Sequence, residues 1–389
     1  MKKELSKSNA DTFFENVAQL IEQARKHIGR TADLTMCITY YEMGRMIVEE
    51  EQSGEARAAY GKKLLVNLSA FLNNRIGKGF SVSTLKNARQ FYQVYNKVIR
   101  QSMLGELASD EESAKTQAMP TIFTEKGNRQ SMLGELNPFK LSWSHYLVLM
   151  RIDNDDERRF YEIEALQQQW DYRYLSRQYN SSLYERLALS RDKDEVMKLA
   201  NEGQIITKPV DMLKNPIVLE FAGLEDKAAF SEDDLEEAII TKLEKFLREL
   251  GKGFLYEDRQ KRFTFEEKHF KVDLVCYNRL LRCYVVIDFK IDEITHQDLG
   301  QMQMYVHYYD RYVKTSDENP TVGILLCKKK NDAIVELTLP KGENIYAAEY
   351  STYLPDKSLL QSKLVEWIEE FEEEHEQRKL ANGNPDKVE

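Results

Sequence analysis

Hydrophobic positions recur at helical spacing through the first half of the chain and at strand spacing in the second. In "DTFFENVAQLIEQARKHIG" (11–29) apolar residues fall three and four apart and the run ends at a glycine, predicting an amphipathic helix. "YYEMGRMIVEEEQ" (40–52) continues in that style. A helix near 60–75, the turn "GKGFS" (77–81) and a helix from about Ser83 to Arg100 suggest a helix-turn-helix. Residues 138–190 return to helix in "LSWSHYLVLMRI", "DERRFYEIEALQQQW" and "YRYLSRQYNSSLYERL". Trp143, Tyr146, Tyr161, Trp170 and Tyr174 are expected in cores, and the lone His145 is read as structural.

The style changes after a polar stretch and a segment broken by Pro209 and Pro216. "SEDDLEEAIITKLEKFLREL" (231–250) reads as one amphipathic helix, opened by a Ser231–Asp234 capping pattern and closed at Gly251. Strand-like "GFLYEDR", "KRFTFEE", "HFKVDLVCYN" and "RCYVVIDFK" follow, then a helix, "THQDLGQMQMYVHYYDRYVK", then the strand "PTVGILLCKK". The expected organisation is a mainly α-helical part over 1–190, a linker over 191–229, an α/β domain with a mixed sheet flanked by helices over 230–357, and an acidic helix and tail over 358–389. "RQSMLGEL" occurs at 100–107 and again at 129–136; two copies make no solenoid, and the expectation is a duplicated loop in a surface insertion near 101–137.

Composition changes this picture in one place. The net charge of −10 speaks against nucleic acid, but the charge is segregated. Residues 56–103 hold nine Lys and Arg, among them Arg75, Lys78, Lys86, Arg89, Lys97 and Arg100, and no Asp or Glu. On the helix from Ser83, Leu85, Ala88, Tyr92, Tyr95 and Ile99 form a stripe that can pack, while Lys86, Arg89, Gln93, Lys97 and Arg100 form one that can face phosphates. This half is expected to bind DNA. Cys37, Cys276, Cys283 and Cys327 are isolated, so buried reduced thiols are expected rather than zinc or disulfides. No signal-peptide pattern and no apolar run of bilayer length occurs, which points to the cytoplasm and no membrane.

The candidate chemistry lies in "VDLVCYNRLLRCYVVIDFK" (272–290), a strand pair carrying Asp273, Asp288 and Lys290 where a core is expected. Alternation puts Asp288 and Lys290 on one face. A tight turn centred on Arg279 and Leu280 would set Asp273 opposite Val286, with Asp288 a diagonal neighbour about 7 Å away. Glu236 precedes Ile240, Leu243 and Leu247 at helical spacing, so it points along a packing stripe; Gln260 and Gln301 are polar candidates nearby. Two carboxylates suit a hard divalent cation, Mg²⁺ or Mn²⁺, and the lysine can stabilise charge on a phosphorane. A buried Asp–Lys ion pair without chemistry stays open at this point.

Asp273 followed 15 residues later by Asp288-Phe289-Lys290 resembles the PD-(D/E)XK nuclease superfamily. "LRELGKGFLYEDRQ", "LGQMQMYVHYYD", "AYGKKLLVNLS" and "GKGFSVSTLKNARQFY" resemble its YhcG-like family over nearly the whole chain. The resemblance implies a restriction-endonuclease-like domain after a winged-helix-like helical module, and metal-dependent phosphodiester hydrolysis. It implies Asp273 and Asp288 as metal ligands, Lys290 as the catalytic lysine, Glu236 as an auxiliary acid and Gln301 in support. Two departures are Asp288 for the motif glutamate and "CYN" for a Phe-Tyr-His run. Rival readings are a DNA-binding protein with an inactive nuclease fold and a nuclease of structured RNA. Cutting two strands with two sites makes a homodimer the expected assembly.

Overall fold

A computed structural model describes residues 29, 31–52, 57–107, 139–190, 193–224, 230–265, 267–340 and 342–364. The chain divides into two compact units, Met1–Arg158 with Ala165–Leu175, and Arg159–Glu164 with Ser176–Glu389. The helix predicted over 11–29, save Gly29, the second "RQSMLGEL" copy and the acidic tail beyond 364 lie outside the described residues.

In the first unit every regular element among the described residues is helical; no strand that could serve as a wing is among them. Helix α1 covers 31–52, α2 Arg57–Arg75, α3 Val82–Leu107 and α4 Trp143–Leu149; α5 (Asp155–Gln167), α6 (Tyr172–Asn180), α7 (Leu183–Ala188) and α8 (Lys193–Glu202) follow along the chain. The packing stripe of α3 is buried as its spacing requires: Leu85, Ala88, Tyr92 and Tyr95 are all under 9% exposed. Around it an aromatic cluster closes, with Phe91 lying 4.9 Å from Phe139 and 5.1 Å from Tyr146 between ring centroids. Between α2 and α3 the chain turns through Gly77 and Gly79, at φ 120° and 131°, values side chains rarely adopt. Asn73 and Ser69 hold this turn through Phe80, and Ser81 caps α3 by accepting from Thr84 N at 3.1 Å. α3 does not stop at Arg100. It continues through the first "RQSMLGEL" copy, which is helix rather than loop: Gln, Met, Leu and Glu are good helix formers and one glycine is tolerated. His145 is structural; its Nε2 lies 2.8 Å from Trp170 O and its Nδ1 2.6 Å from Ser142 Oγ.

The second unit is built on a six-stranded sheet in the order β1-β6-β5-β4-β3-β2. β2 (Phe254–Phe265), β3 (Lys268–Asn278) and β4 (Cys283–Phe289) are antiparallel neighbours, whereas β4, β5 (Val322–Cys327), β6 (Ile345–Ser351) and β1 (Ile217–Val218) run parallel. β1 comes from the stretch read as linker, and β6 was not expected. "GFLYEDR" and "KRFTFEE" are one strand, interrupted by Gln260 at φ +48°. The helix expected over 231–250 is two: α9 (Glu232–Thr241) and α10 (Leu243–Leu250). They part at Lys242, whose ammonium leaves the helix line to reach Phe221 O at 2.5 Å. The Ser231–Asp234 capping box forms in full.

Both faces of the sheet are covered. Leu235, Ile239, Phe246 and Leu250 pack on Leu274, Cys276, Val285, Ile287 and Phe289. On the other side α11 (His296–Tyr308) lays Leu299, Met302, Tyr305 and Val306 against Val275, Val286 and Leu325. α11 comes so near β5 that a Cβ on Gly323 would overlap Met302 and Val306. All four cysteines are free and buried.

One ion pair is buried outright. The Arg186 and Glu249 side chains are each 0% exposed and meet at 2.6 Å. Glu249 also accepts from Arg177 at 3.0 Å and from the Val218 amide at 3.1 Å, so it joins α10 to the β1 strand and to the helices over 172–188. Burial alone would raise its pKa; the charges of Arg186, Lys214 and Arg177 overcome that and hold it at about 2. Glu249→Gln strands a buried guanidinium and is expected to cost about 3–5 kcal/mol in urea unfolding. Because the folded pKa is depressed, the stabilisation is complete above the unfolded value near 4.5 and lost as pH falls towards 2. Thermal unfolding across that window should show a steeper acid loss in the wild type than in Glu249→Gln.

Candidate active site

The β3–β4 connection is a four-residue loop, with Asn278 paired to Cys283 rather than a two-residue turn on Arg279 and Leu280. Asn278 causes this: its side-chain oxygen accepts from the Leu280 and Leu281 amides at 3.0 and 3.1 Å, winding the loop on through Leu281 and Arg282, two residues further on the β4 side. Arg282 then takes φ +50° before β4 begins. The register moves by two residues relative to the expectation. An even shift keeps every side chain on its face. Asp273 therefore faces Asp288 itself, one step beyond the Leu274–Ile287 pair, and not Val286.

The two carboxylates meet at the end of the sheet on the side of α11, where Val286 also points. Asp288 is 3% exposed. Asp273 accepts a hydrogen bond from Phe289 N at 2.9 Å. Burial first, and the facing Asp288 second, push its pKa well above the usual carboxylate range. Lys290 Nζ lies 2.8 Å from Asp288 Oδ2 and 3.5 Å from Glu232 Oε2. Burial works against its charge, but Asp288 more than compensates and keeps the ammonium protonated above its ordinary range.

Glu236 does approach this group, but not from the stripe first read. Leu235 and Ile239 are the fully buried positions of α9, and Glu236 sits at their margin, 6% exposed. Gln260 donates to its Oε2 at 2.9 Å. The left-handed backbone of Gln260 falls opposite Asp273 in the β2–β3 ladder, between the Arg259–Leu274 and Lys261–Val272 pairs. Gln301 is not beside the carboxylates by any hydrogen bond: its amide donates to the Tyr305 hydroxyl, which donates to Lys271 O at 2.6 Å. Burial and then the charge of Asp288 raise the Tyr305 pKa to about 12. The sequence reading missed Glu232 and Tyr305. Each lies four residues from a residue it did name, one helical turn away.

The cationic residues of the first unit divide. Arg75, Lys78, Lys86 and Lys97 are exposed. Arg89 is not free: it pairs with Glu51 of α1 at 2.8 Å, an acid outside the 48-residue window. The Arg100 side chain lies outside what is described.

The donor set fits a hard cation. Among the described residues no group of three His, Cys, Asp or Glu side chains converges. Two facing carboxylates are what Mg²⁺ takes from a protein when waters and substrate phosphates complete its shell. A cation there would also relieve the repulsion that raises Asp273.

Residues 210–365 match the YhcG PDDEXK nuclease domain and residues 16–186 the DUF1016 N-terminal domain. The second half is thus a nuclease domain of the PDDEXK type, a class that uses divalent metal ions. Over 366 residues the chain is 36% identical to the YhcG protein of Escherichia coli (strain K12), covering 94% of this chain and 96% of that one, and it belongs to the YhcG family. Two solved structures are more distant. A repair endonuclease from Pyrococcus abyssi is 18% identical with a TM-score of 0.22, over 34% of this chain and 51% of that one. The EndoMS-dsDNA2 complex is 18% identical with a TM-score of 0.24, over 34% and 49%. The chain spans about half the length of each. No helix among the described residues is long and apolar enough to cross a membrane.

Gln260 offers a test of the site's geometry that needs no substrate. Gln260→Ala and Gln260→Gly both lose the amide to Glu236, but only alanine keeps the left-handed cost. The glycine variant should be the more stable by about 1 kcal/mol in chemical denaturation.

Proposed function

We propose that this chain is a Mg²⁺- or Mn²⁺-dependent nuclease that hydrolyses phosphodiester bonds in DNA, and that its helical N-terminal part binds that DNA. The observation that carries the reading is the row of Asp273, Asp288 and Lys290, brought together by strand register at the end of the sheet. Asp273 and Asp288 would hold the cation. When bound, it would polarise a phosphoryl oxygen and lower the pKa of a water. Lys290, fixed by Asp288 and Glu232, would orient the attacking water and stabilise charge on the phosphorane. Glu236, held by Gln260, is the auxiliary acid; Gln301 supports the site through Tyr305.

The α2–turn–α3 segment is the DNA-binding part of this reading. Arg75 and Lys78 flank the turn, while Lys86 and Lys97 stand on the exposed stripe of α3. A cytoplasmic location and a homodimer bringing two sites to two strands go with it.

Asp288→Ala and Lys290→Ala should each abolish Mg²⁺-stimulated cleavage of a panel of DNA forms while leaving binding in place, read by gel cleavage and fluorescence anisotropy. Equal cutting by wild type and both variants would sink the reading. Lys86→Ala with Lys97→Ala should lower the slope of log affinity against log salt by about 1.8, at about 0.9 per phosphate contact on duplex DNA. Arg89→Ala, which first breaks the bond to Glu51, should change thermal stability more than that slope.

A further inference from the structure

The β2–β3 hairpin reaches past the rest of the sheet. β4 pairs with β3 only as far as Leu274, whereas β2 and β3 stay paired out to Phe265 and Lys268. One face of this outer half is fixed to the protein. Phe263 is buried, stacks on Tyr308 with ring centroids 3.9 Å apart, and lies against its cross-strand partner Phe270 at 5.5 Å. The Tyr305 hydroxyl adds a hydrogen bond to Lys271 O, at 2.6 Å.

The other face has no cover. Arg262 and Lys271 are direct cross-strand partners, Thr264 and His269 are the next pair on that face, and all four are exposed. Like charges set directly opposite disfavour strand pairing. Among the described residues neither the Arg262 guanidinium nor the Lys271 ammonium has an anionic partner. Of the described acids in this hairpin, Asp258 is taken by Lys261 at 2.7 Å, Glu257 acts on the same lysine, Asp273 faces Asp288 and Glu267 sits at the turn. Packing explains the buried face. Folding gives no reason for a repulsive pair on the open one, and an external anion does.

Position says which anion. The pair lies two residues along β3 from Asp273, about 7 Å of strand. That is about two nucleotide steps at about 3.4 Å of rise per strand. A two-stranded ribbon is also of a size that the major groove admits. We infer that Arg262 and Lys271 form a clamp for the phosphate backbone, holding a DNA strand one or two nucleotides from the bond presented to Asp273 and Asp288. The inference rests on the proposed nuclease function. The stacking of Phe263 on Tyr308 sets the clamp's orientation before substrate arrives, so little ordering is left to be done on binding.

The test uses the full chain carrying Lys290→Ala, so that strands stay whole, and follows binding to duplex and single-stranded DNA between 50 and 200 mM salt. Adding Arg262→Ala and Lys271→Ala should lower the duplex salt slope by about 1.8, so that affinity falls about 12-fold less across this range. Arg262→Glu supplies a second arm. It sets an acid opposite Lys271, so thermal stability should hold or rise while binding weakens and the slope drops. An unchanged slope in both variants, with binding otherwise intact, overturns the clamp and leaves the nuclease reading standing. Failure of the parent chain to bind either DNA form overturns both. A loss confined to one DNA form supports the clamp and names the form it holds.

Discussion

Everything at the site hangs on how β3 is paired with β4. The Asn278 side chain fixes a four-residue loop, and the loop fixes the ladder. A slip of one residue would carry Asp288 and Lys290 to the face of Ile287 and Phe289, into the core beneath α9 and α10. The four residues of the loop thus decide where the acids stand as much as the strands do. Gly253 and Asn319 hold them from outside, with Gly253 O accepting from Arg279 N at 2.9 Å and Asn319 donating to Leu281 O at 2.7 Å.

The second unit buries charge in two places, with opposite consequences. At Glu249 three cations surround one acid, each carboxylate oxygen has a donor, and the acid is held ionised. At Asp273 and Asp288 two acids face each other and one ammonium is shared between Asp288 and Glu232. The first arrangement is complete as it stands and acts as a fastening. The second is short of positive charge, and that shortage is what a bound cation would make good.

Much of this was legible in the chain. Continuous apolar runs located β3, β4 and β5, which have cores on both sides, and helical spacing located α3 and α11, each of which turns one face to a core. Asp273, Asp288 and Lys290 could be grouped from spacing alone, since the error in the turn was an even one. What failed was whatever depends on contacts distant in sequence. No glycine or proline announces the break at Lys242; the carbonyl of Phe221 makes it. β1 is two residues long and exists only because β6 lies beside it. The excess of positive charge on α3 was counted within one window, and Glu51 of α1, just outside it, removes Arg89 from the tally.

Gln260 divides β2 into two lengths of strand with a reversal of backbone handedness between them. On the inner side the ladder must keep its register, because Asp273 is fixed by it. On the outer side Phe263 ties the ribbon to α11, and the count of residues beyond it is not constrained by the acids. The hairpin can therefore gain or lose residues in matched pairs at its tip without disturbing the carboxylates. A fold arranged in this way uncouples the two ends of one hairpin: the length of the tip is free, while the pairing at its base holds Asp273 opposite Asp288.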